Sequence, residues 1–159
     1  MYKNILIPTD GSELSARAIK AGVKLANVTG GSVIGIFVAP TPTPIIYKGL
    51  LPVGYKSPDE HAALIAKAAQ KNLGVIEKEA KALGVPFRGI TVTSDFPADS
   101  ILQAASDHKC DLIFMASHGH RGVSAILIGS ETQKVLSHAR IPVLVYRDRY
   151  SDVPSRSPS

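Results

Sequence analysis

Short apolar segments alternate with helical segments along nearly the whole chain, and this alternation restricts the possible folds more than any other feature. Strands are predicted at 5–7, 33–38, 87–93, 112–116 and 143–146, and helices at 12–26, 57–83, 97–108 and 131–140. Strands that alternate with helices form βαβ units, in which the strands are parallel. All but the third strand are almost continuously apolar, as expected when helices cover both faces of the sheet.

The third predicted strand determines the order of the sheet. Arg88, Thr91 and Thr93 interrupt its apolar run, so this strand belongs at a sheet edge. The order 3-2-1-4-5 places it outermost in a doubly wound, five-stranded parallel sheet. In such a sheet a ligand binds at the carboxyl ends of the strands where the order reverses, which here lies between strands 1 and 4.

Proline, glycine and serine mark the ends of several elements. Pro8 is predicted to stop the first strand, and Gly30 to end the first helix. Ser57 followed by Pro58 predicts the start of the second helix. The connection from 41 to 56 is rich in proline and has no predicted element.

Length and composition indicate one ordinary globular domain. The chain has 159 residues, of which 45% are hydrophobic and 19% charged. The domain is predicted to span 1–147, and the Ser/Pro/Arg-rich segment 148–159 to be a disordered tail. No apolar run approaches the roughly 20 residues that span a bilayer, and the N-terminus lacks the layout of a signal peptide. The only cysteine, Cys110, is interpreted as a small buried residue and is compatible with a cytoplasmic location.

The net charge of +5 does not indicate nucleic-acid binding. Lysine and arginine are scattered along the chain and form no dense basic block. We therefore expect neither a nucleic-acid nor a membrane partner.

Two loops rich in potential ligand groups follow strands 1 and 4. The first contains Asp10, whose carboxylate can accept the hydroxyls of a ribose, although Asp10 or Ser12 can equally cap the first helix. The second runs from Ala116 to Ser130 and enters the last helix, so it joins close backbone approach at glycines with a helix N-terminus, where phosphate binds. The alternatives are that Gly119 and Gly129 serve only turns with positive φ, and that Ser130 with Gln133 forms a capping box.

Histidine and arginine in the second loop add possible phosphate donors. These are His118, His120 and Arg121. The His-x-His spacing can also indicate a metal, but no third ligand follows by spacing, so a site of protein ligands alone is not expected. The chain has no Gly-x4-Gly-Lys-Ser/Thr loop, no Gly-x-Gly-x-x-Gly after strand 1 and no Gly-x-Ser-x-Gly elbow. No catalytic residue can be named, so no arrangement for fast chemistry is expected.

Three segments are distinctive: Lys-Asn-Ile-Leu-Ile-Pro-Thr-Asp-Gly-Ser, Asp-Leu-Ile-Phe-Met-Ala-Ser-His-Gly and Gly-Ser-Glu-Thr-Gln-Lys-Val-Leu. They resemble segments of the universal stress protein family, and the resemblance covers residues 2–147. The nucleotide-binding branch of that family carries a Gly-x2-Gly-x9-Gly-Ser/Thr pattern. Its last three positions fall on Gly119, Gly129 and Ser130, whereas the first falls on Ala116, whose methyl group would hinder close backbone approach.

The resemblance implies a role for each matching residue. Asp10 would hold the ribose, while Pro8, Thr9 and Val38 would shape an adenine pocket. The nucleotide would be lined by Met115, Ala116 and Gly119, and its phosphates would be held by Gly129, Ser130 and Glu131. Members of this kind are usually dimeric and cytoplasmic.

The resulting expectation is a dimeric sensor or switch that binds ATP, or AMP or ADP, with Mg²⁺ carried by the phosphates. At most slow ATP hydrolysis is expected. The homodimer would form through the outer strand Ile141–Tyr146, whose apolar residues face both sides of the sheet. The alternative is a dimeric interaction module of the same fold without a functional nucleotide site. A phospho-receiver domain is rejected, because it requires clustered acidic residues after strand 1 and a lysine after strand 5.

Overall fold

The computed structural model describes residues 1–42, 56–119 and 127–148. Strands and helices alternate as the sequence predicts. The strands are β1 (Asn4–Thr9), β2 (Ser32–Ala39), β3 (Phe87–Thr93), β4 (Leu112–Ala116) and β5 (Val143–Tyr146). The helices are α1 (Glu13–Thr29), α2 (Pro58–Leu83), α3 (Pro97–Asp107) and α4 (Ser130–His138).

The five strands form one parallel sheet in the order β3-β2-β1-β4-β5, which confirms the predicted topology and the edge position of β3. The ladder between β1 and β2 is continuous from Asn4–Ser32 to Thr9–Phe37. The ladder between β1 and β4 contains only the pairs Ile5–Leu112 and Leu6–Ile113. Beyond these pairs the two strands separate toward their carboxyl ends, where the strand order reverses.

Helices cover both faces of the sheet, and each face has its own core cluster. Ile5, Ile7 and Phe114 belong to a cluster shared with α1 and α2. Leu6 and Ile113 belong to a cluster shared with α3 and α4. Neighbouring strand residues point to opposite faces, so this division assigns a face to every strand position.

Serine and glycine delimit the first two helices. Ser12 caps α1 by accepting a hydrogen bond from Ser15 N, and Ser57 with Glu60 forms a capping box at the start of α2. Gly30 and Gly84 end the two helices in the left-handed conformation, with φ of 64° and 68°.

Two local predictions are wrong. Pro8 does not stop β1, which continues to Thr9. Proline is tolerated there because β1 at this end pairs with β2 alone. The capping box at Ser130 is absent as well, since Gly129 is the N-cap and Ser130 is the first residue of α4.

The early start of α4 follows from the way Gly129 is held against β4. Gly129 donates its N–H to Ser117 O at 2.7 Å, and its own carbonyl accepts Gln133 N at 2.9 Å. The Gln133 side chain donates to Ile128 O at 2.7 Å instead of returning to Ser130. The helix also ends at His138 rather than Arg140, because Ala139 turns to extended backbone.

Some sequence predictions lie outside the described residues. They concern most of the proline-rich connection, His120, Arg121 and most of the tail. Among the described helices, none is long and apolar enough to cross a membrane.

Candidate functional site

The two predicted ligand loops meet where β1 and β4 separate. Asp10 is exposed immediately after β1, and its Oδ1 accepts the Ser12 N–H at 2.9 Å. Its other oxygen, Oδ2, faces Gly119 so closely that a Cβ on Gly119 would lie 2.0 Å from it. The carboxylate of the first loop is thus packed against the backbone of the second.

Glycine is favoured at 119 and at 129 by space, not by backbone conformation. Neither residue has a positive φ; Gly129 has φ of −59°. A Cβ on Gly129 would lie 3.1 Å from His118 Cα and 3.3 Å from Ser117 O. The alternative interpretation that these glycines serve turns with positive φ is therefore wrong, and both positions are places where two backbone segments approach closely.

Two predicted adenine-pocket residues, Pro8 and Val38, share one face of the sheet with Met115, which is predicted to line the nucleotide. Met115 is buried and Val38 is half-buried in the cluster with α3 and α4. Pro8 follows Ile7 in β1, and alternation places it on the same face as Leu6. Pro8, Val38 and Met115 come from three adjacent strands and form an apolar rim at their carboxyl ends.

Thr9 and Ala116 point to the opposite face. Thr9 is buried, and its Oγ1 accepts hydrogen bonds from Ser15 Oγ at 3.0 Å and from Gly11 N at 3.2 Å. Ala116 packs against the cluster with α1 and α2. Thr9 can therefore offer a ligand only backbone groups, and the Ala116 methyl group points away from the apolar rim.

The N-terminus of α4 presents backbone donors beside these loops. The first helical hydrogen bond runs from Gln133 N to Gly129 O, so the N–H groups of Ser130, Glu131 and Thr132 precede it. The N-cap residue Gly129 has no side chain that could cap this terminus, whereas serine side chains cap α1 and α2. Such a terminus carries a partial positive charge and suits an anion.

The Glu131 carboxylate already has structural partners. Its Oε2 accepts the Ala98 N–H at the start of α3 at 2.9 Å, and its Oε1 lies 3.2 Å from Lys134 Nζ. Glu131 can therefore contribute only its N–H to an anion at this position.

Ser117 is a structural centre of the second loop that sequence reasoning did not identify. It is buried, its N–H donates to Tyr146 O of β5 at 2.9 Å, and its carbonyl accepts the Gly129 N–H. Its Oγ lies 3.1 Å from His118 Nδ1, which orients the half-buried imidazole. A small polar residue directly after an apolar strand is the only sequence signal for this role.

Cys110 and metal ligands do not contribute to this site in the described part of the chain. Cys110 is buried among residues of α3 and β4, as predicted, and burial, with a smaller effect from Asp111, raises the pKa of its thiol to about 11. Within 1–42, 56–119 and 127–148, no three His, Cys, Asp or Glu side chains are grouped as a metal site would require.

Comparison with known proteins identifies the family. The model of the universal stress protein family matches residues 1–147. The chain belongs to the universal stress protein family. A family member from Methanocaldococcus jannaschii is 33% identical over 147 residues, which are 92% of this chain and 83% of that protein. The solved structure of a second M. jannaschii family member has a TM-score of 0.75 at 30% identity, covering 95% of this chain and 99% of that one.

Two other solved universal stress proteins are described as nucleotide complexes. One contains cAMP and matches with a TM-score of 0.66 at 20% identity, covering 92% of this chain and 97% of that one. The other, from Archaeoglobus fulgidus, contains dAMP and matches with a TM-score of 0.58 at 19% identity, covering 91% and 97%. At these identities the likeness establishes a common fold.

Proposed function

We propose that this universal stress protein binds an adenine nucleotide, ATP or its AMP and ADP counterparts, between the β1 and β4 loops. The observation that carries the proposal is the packing of Asp10 Oδ2 against Gly119, beside the N-terminus of α4, where the N-cap residue Gly129 provides no side-chain cap. The proposal is supported because a carboxylate suited to hydroxyl groups and backbone N–H groups suited to phosphates would then lie together where the sheet order reverses.

The residues around this point fit the three parts of the ligand. The apolar rim of Pro8, Val38 and Met115 suits the adenine. Asp10 suits the ribose hydroxyls, because a carboxylate forms strong charge-assisted hydrogen bonds. Gly129 and the N–H groups of residues 130–132 suit the phosphates, and the phosphates would carry Mg²⁺.

The residues predicted from the sequence contribute different groups to the proposed site. Thr9 and Ala116 contribute backbone groups only, because their side chains face α1. Glu131 contributes its N–H, since its carboxylate is bound to α3 and Lys134. His120 and Arg121 remain phosphate contacts proposed from sequence alone.

A role as sensor or switch in the stress response suits this site better than a metabolic enzyme. An Asp10 carboxylate that binds ribose is not free for proton transfer, and the thiol of Cys110 is buried and held protonated at neutral pH. We expect ATP turnover far below the ~10 s⁻¹ median of enzymes.

The sensor is proposed to act as a homodimer through β5. This four-residue strand lies at a sheet edge, and Leu144 on it and Leu136 on α4 are exposed by 38% and 41%. Pairing with the same strand of a second copy would cover the edge and these side chains. Light scattering should give twice the 16.8 kDa chain mass, and Val143→Asp should dissociate the dimer or precipitate the protein. A 16.8 kDa species at micromolar concentration would exclude the dimer.

Nucleotide binding is tested by heat release and mass identification of co-purified ligand, and by thermal unfolding with ATP and Mg²⁺. A ligand at a hundred times its Kd stabilises the folded state by about 2.7 kcal/mol, which raises Tm by about 5–10 °C. Gly129→Glu should abolish the shift, because it places bulk and negative charge against the phosphates. Asp10→Ala should reduce it, and Ala116→Gly should leave it unchanged.

Gly74→Glu is the matched control. It introduces the same side chain in the middle of α2, where a Cβ meets nothing within 4 Å, and should retain the wild-type shift. If ATP with Mg²⁺ leaves Tm unmoved in wild type and in Ala116→Gly alike, the protein is a same-fold interaction module without a nucleotide site.

A further inference from the structure

The edge of the sheet opposite β5 presents unpaired backbone groups. Pro86 O accepts Val33 N at 2.9 Å, and Ser94 N donates to Ala39 O at 2.8 Å, so residues 86 and 94 direct their backbone groups toward β2. Backbone groups point alternately to the two sides of a strand, so residues 87, 89, 91 and 93 direct their N–H and C=O groups away from β2. Gly89, Thr91 and Thr93 are exposed, and no described residue pairs with this side of β3.

β3 lacks the features that usually protect an edge strand. Natural edges are short, bulged, or carry proline and lysine. β3 has seven residues, contains neither proline nor lysine, and keeps a continuous register with β2 from Val33–Phe87 to Ala39–Thr93. Arg88 is its single charge. Within the part of the chain that the structure describes, the strand is therefore an open template for a further strand.

A groove of about 460 Å³ runs beside this edge. We call it the β3–α3 groove. Its floor is formed by the half-buried side chains of Ile90 and Val92, because α3 packs over β2 and leaves this part of the sheet uncovered. Its wall is formed by Asp99, Ser100, Gln103, Ala104, Asp107 and His108 of α3 and its end.

The wall carries two carboxylates at a defined spacing. Asp99 and Asp107 are exposed and eight residues apart on α3, which is about 12 Å along the helix axis. Asp107 Oδ1 is oriented by Gln103 Nε2 at 2.7 Å. About four residues of extended chain span the roughly 12 Å between Asp99 and Asp107. Two basic groups lie nearby: His108 at the C-terminal end of α3 and Arg88 near the N-terminal end of β3.

We propose that β3 and the β3–α3 groove bind an extended segment of a partner protein, which adds to the sheet as a sixth strand. Such a segment carries Lys or Arg at positions i and i+4, facing Asp99 and Asp107, and an apolar residue at i+2 over Ile90 and Val92. Main-chain hydrogen bonds provide affinity in this mode of binding, and alternate side chains provide specificity. The surface is distinct from the proposed nucleotide site and does not depend on it.

The chain offers this spacing only inside helices, because Lys67 and Lys71 lie in α2 and Lys20 and Lys24 lie in α1, so neither pair is an extended segment. In the tail, Arg149 and Arg156 are seven residues apart, and β3 of a second copy carries Arg88 alone. The occupant is therefore another protein.

The probe is a labelled, end-capped peptide with lysine, threonine, valine, threonine and lysine between glycines, measured by fluorescence anisotropy with the full chain. Two N-methylated forms of the peptide provide the decisive comparison. Methyl groups on one alternate set of amides should abolish binding, because those amides pair with β3, whereas methyl groups on the other set should leave it intact. Equal binding of both forms would overturn the proposal.

Protein variants test the two sides of the groove. Thr91→Pro removes one outward N–H and should weaken binding about tenfold, while the matched Thr91→Ala keeps that N–H and should bind within about twofold of wild type. Asp99→Asn with Asp107→Asn should weaken binding about fivefold and reduce its salt dependence. Equal affinities for Thr91→Pro and Thr91→Ala would contradict strand addition. If the oligomeric mass measured without peptide is lower for Thr91→Pro than for wild type, the β3 edge binds a second copy of the chain, and the partner proposal is overturned.

Discussion

Gly119→Ala tests the closest approach in the candidate site. The added Cβ would lie 2.0 Å from Asp10 Oδ2 and 3.1 Å from Asp10 Cγ. An ordinary contact is at least 3.4 Å, so the carboxylate must retreat by more than 1 Å. That movement pulls Oδ1 away from Ser12 N, to which it is bound at 2.9 Å.

The expected loss follows from that hydrogen bond. A hydrogen bond to a charged group contributes about 1.5–3 kcal/mol. Replacing glycine by alanine returns about 0.4–1 kcal/mol by restricting the unfolded chain, and Gly119 has no positive φ to oppose the change. The net loss of unfolding free energy should be about 1–2 kcal/mol.

A double-mutant cycle with Asp10→Ala isolates the contact. In the Asp10→Ala background the obstructing carboxylate is gone, so Gly119→Ala should become neutral or slightly stabilising. Urea unfolding of wild type, both single variants and the double variant should give a coupling of about 1.5–3 kcal/mol. A coupling below about 0.5 kcal/mol, the limit for independent sites, would show that the two loops do not meet as described. Gly74→Ala, whose Cβ meets nothing within 4 Å, is the control and should stabilise α2 by up to about 1 kcal/mol.

Three further predictions concern the scaffold. In the folded protein the pKa of the Cys110 thiol is about 11, against a usual value of 9.0. Between these two pH values the unfolded chain binds fewer protons than the folded one, so the free energy of unfolding should fall as pH rises. In urea titrations, the difference in unfolding free energy between wild type and Cys110→Ala should change by about 2–3 kcal/mol over this pH range. A difference that does not depend on pH would refute this prediction. Ser57→Ala removes the capping box of α2 and should cost about 1 kcal/mol by the same assay, whereas an unchanged midpoint would contradict the cap. Gly22→Ala should cost about 1–3 kcal/mol, because the new methyl group would lie 2.7 Å from Ile7 Cδ1 beneath α1; a stabilised variant would show that the packing there is loose.

The sequence predicts the sheet order and the meeting of the two loops because both depend on patterns along the chain. Apolar runs and the polar interruptions of 87–93 are sufficient to place β3 at the edge, and the order then brings Asp10 and Gly119 to one point. The distance between them is a tertiary property, which no local pattern contains. The same is true of the faces to which Thr9 and Ala116 point, since these depend on which cluster each strand residue joins.

The start of α4 shows how a local pattern can mislead. Ser130 and Gln133 have the spacing of a capping box, but the bond from Gly129 N to Ser117 O fixes the chain one residue earlier. Pro8 is a similar case, because the ladder on one side of β1 has already ended when the proline occurs. In both cases a neighbouring strand outweighs the local preference.

Glu131 has a consequence for how long a ligand would stay bound. Its carboxylate holds the start of α3 and lies in the first turn of α4, where the proposed phosphates also bind. Under the proposed function, a phosphate bound there would lie near this negative charge, and the repulsion between them would favour release. A nucleotide held in this way would exchange with the surrounding pool, so the occupancy of the protein would follow the changing nucleotide supply of the cell.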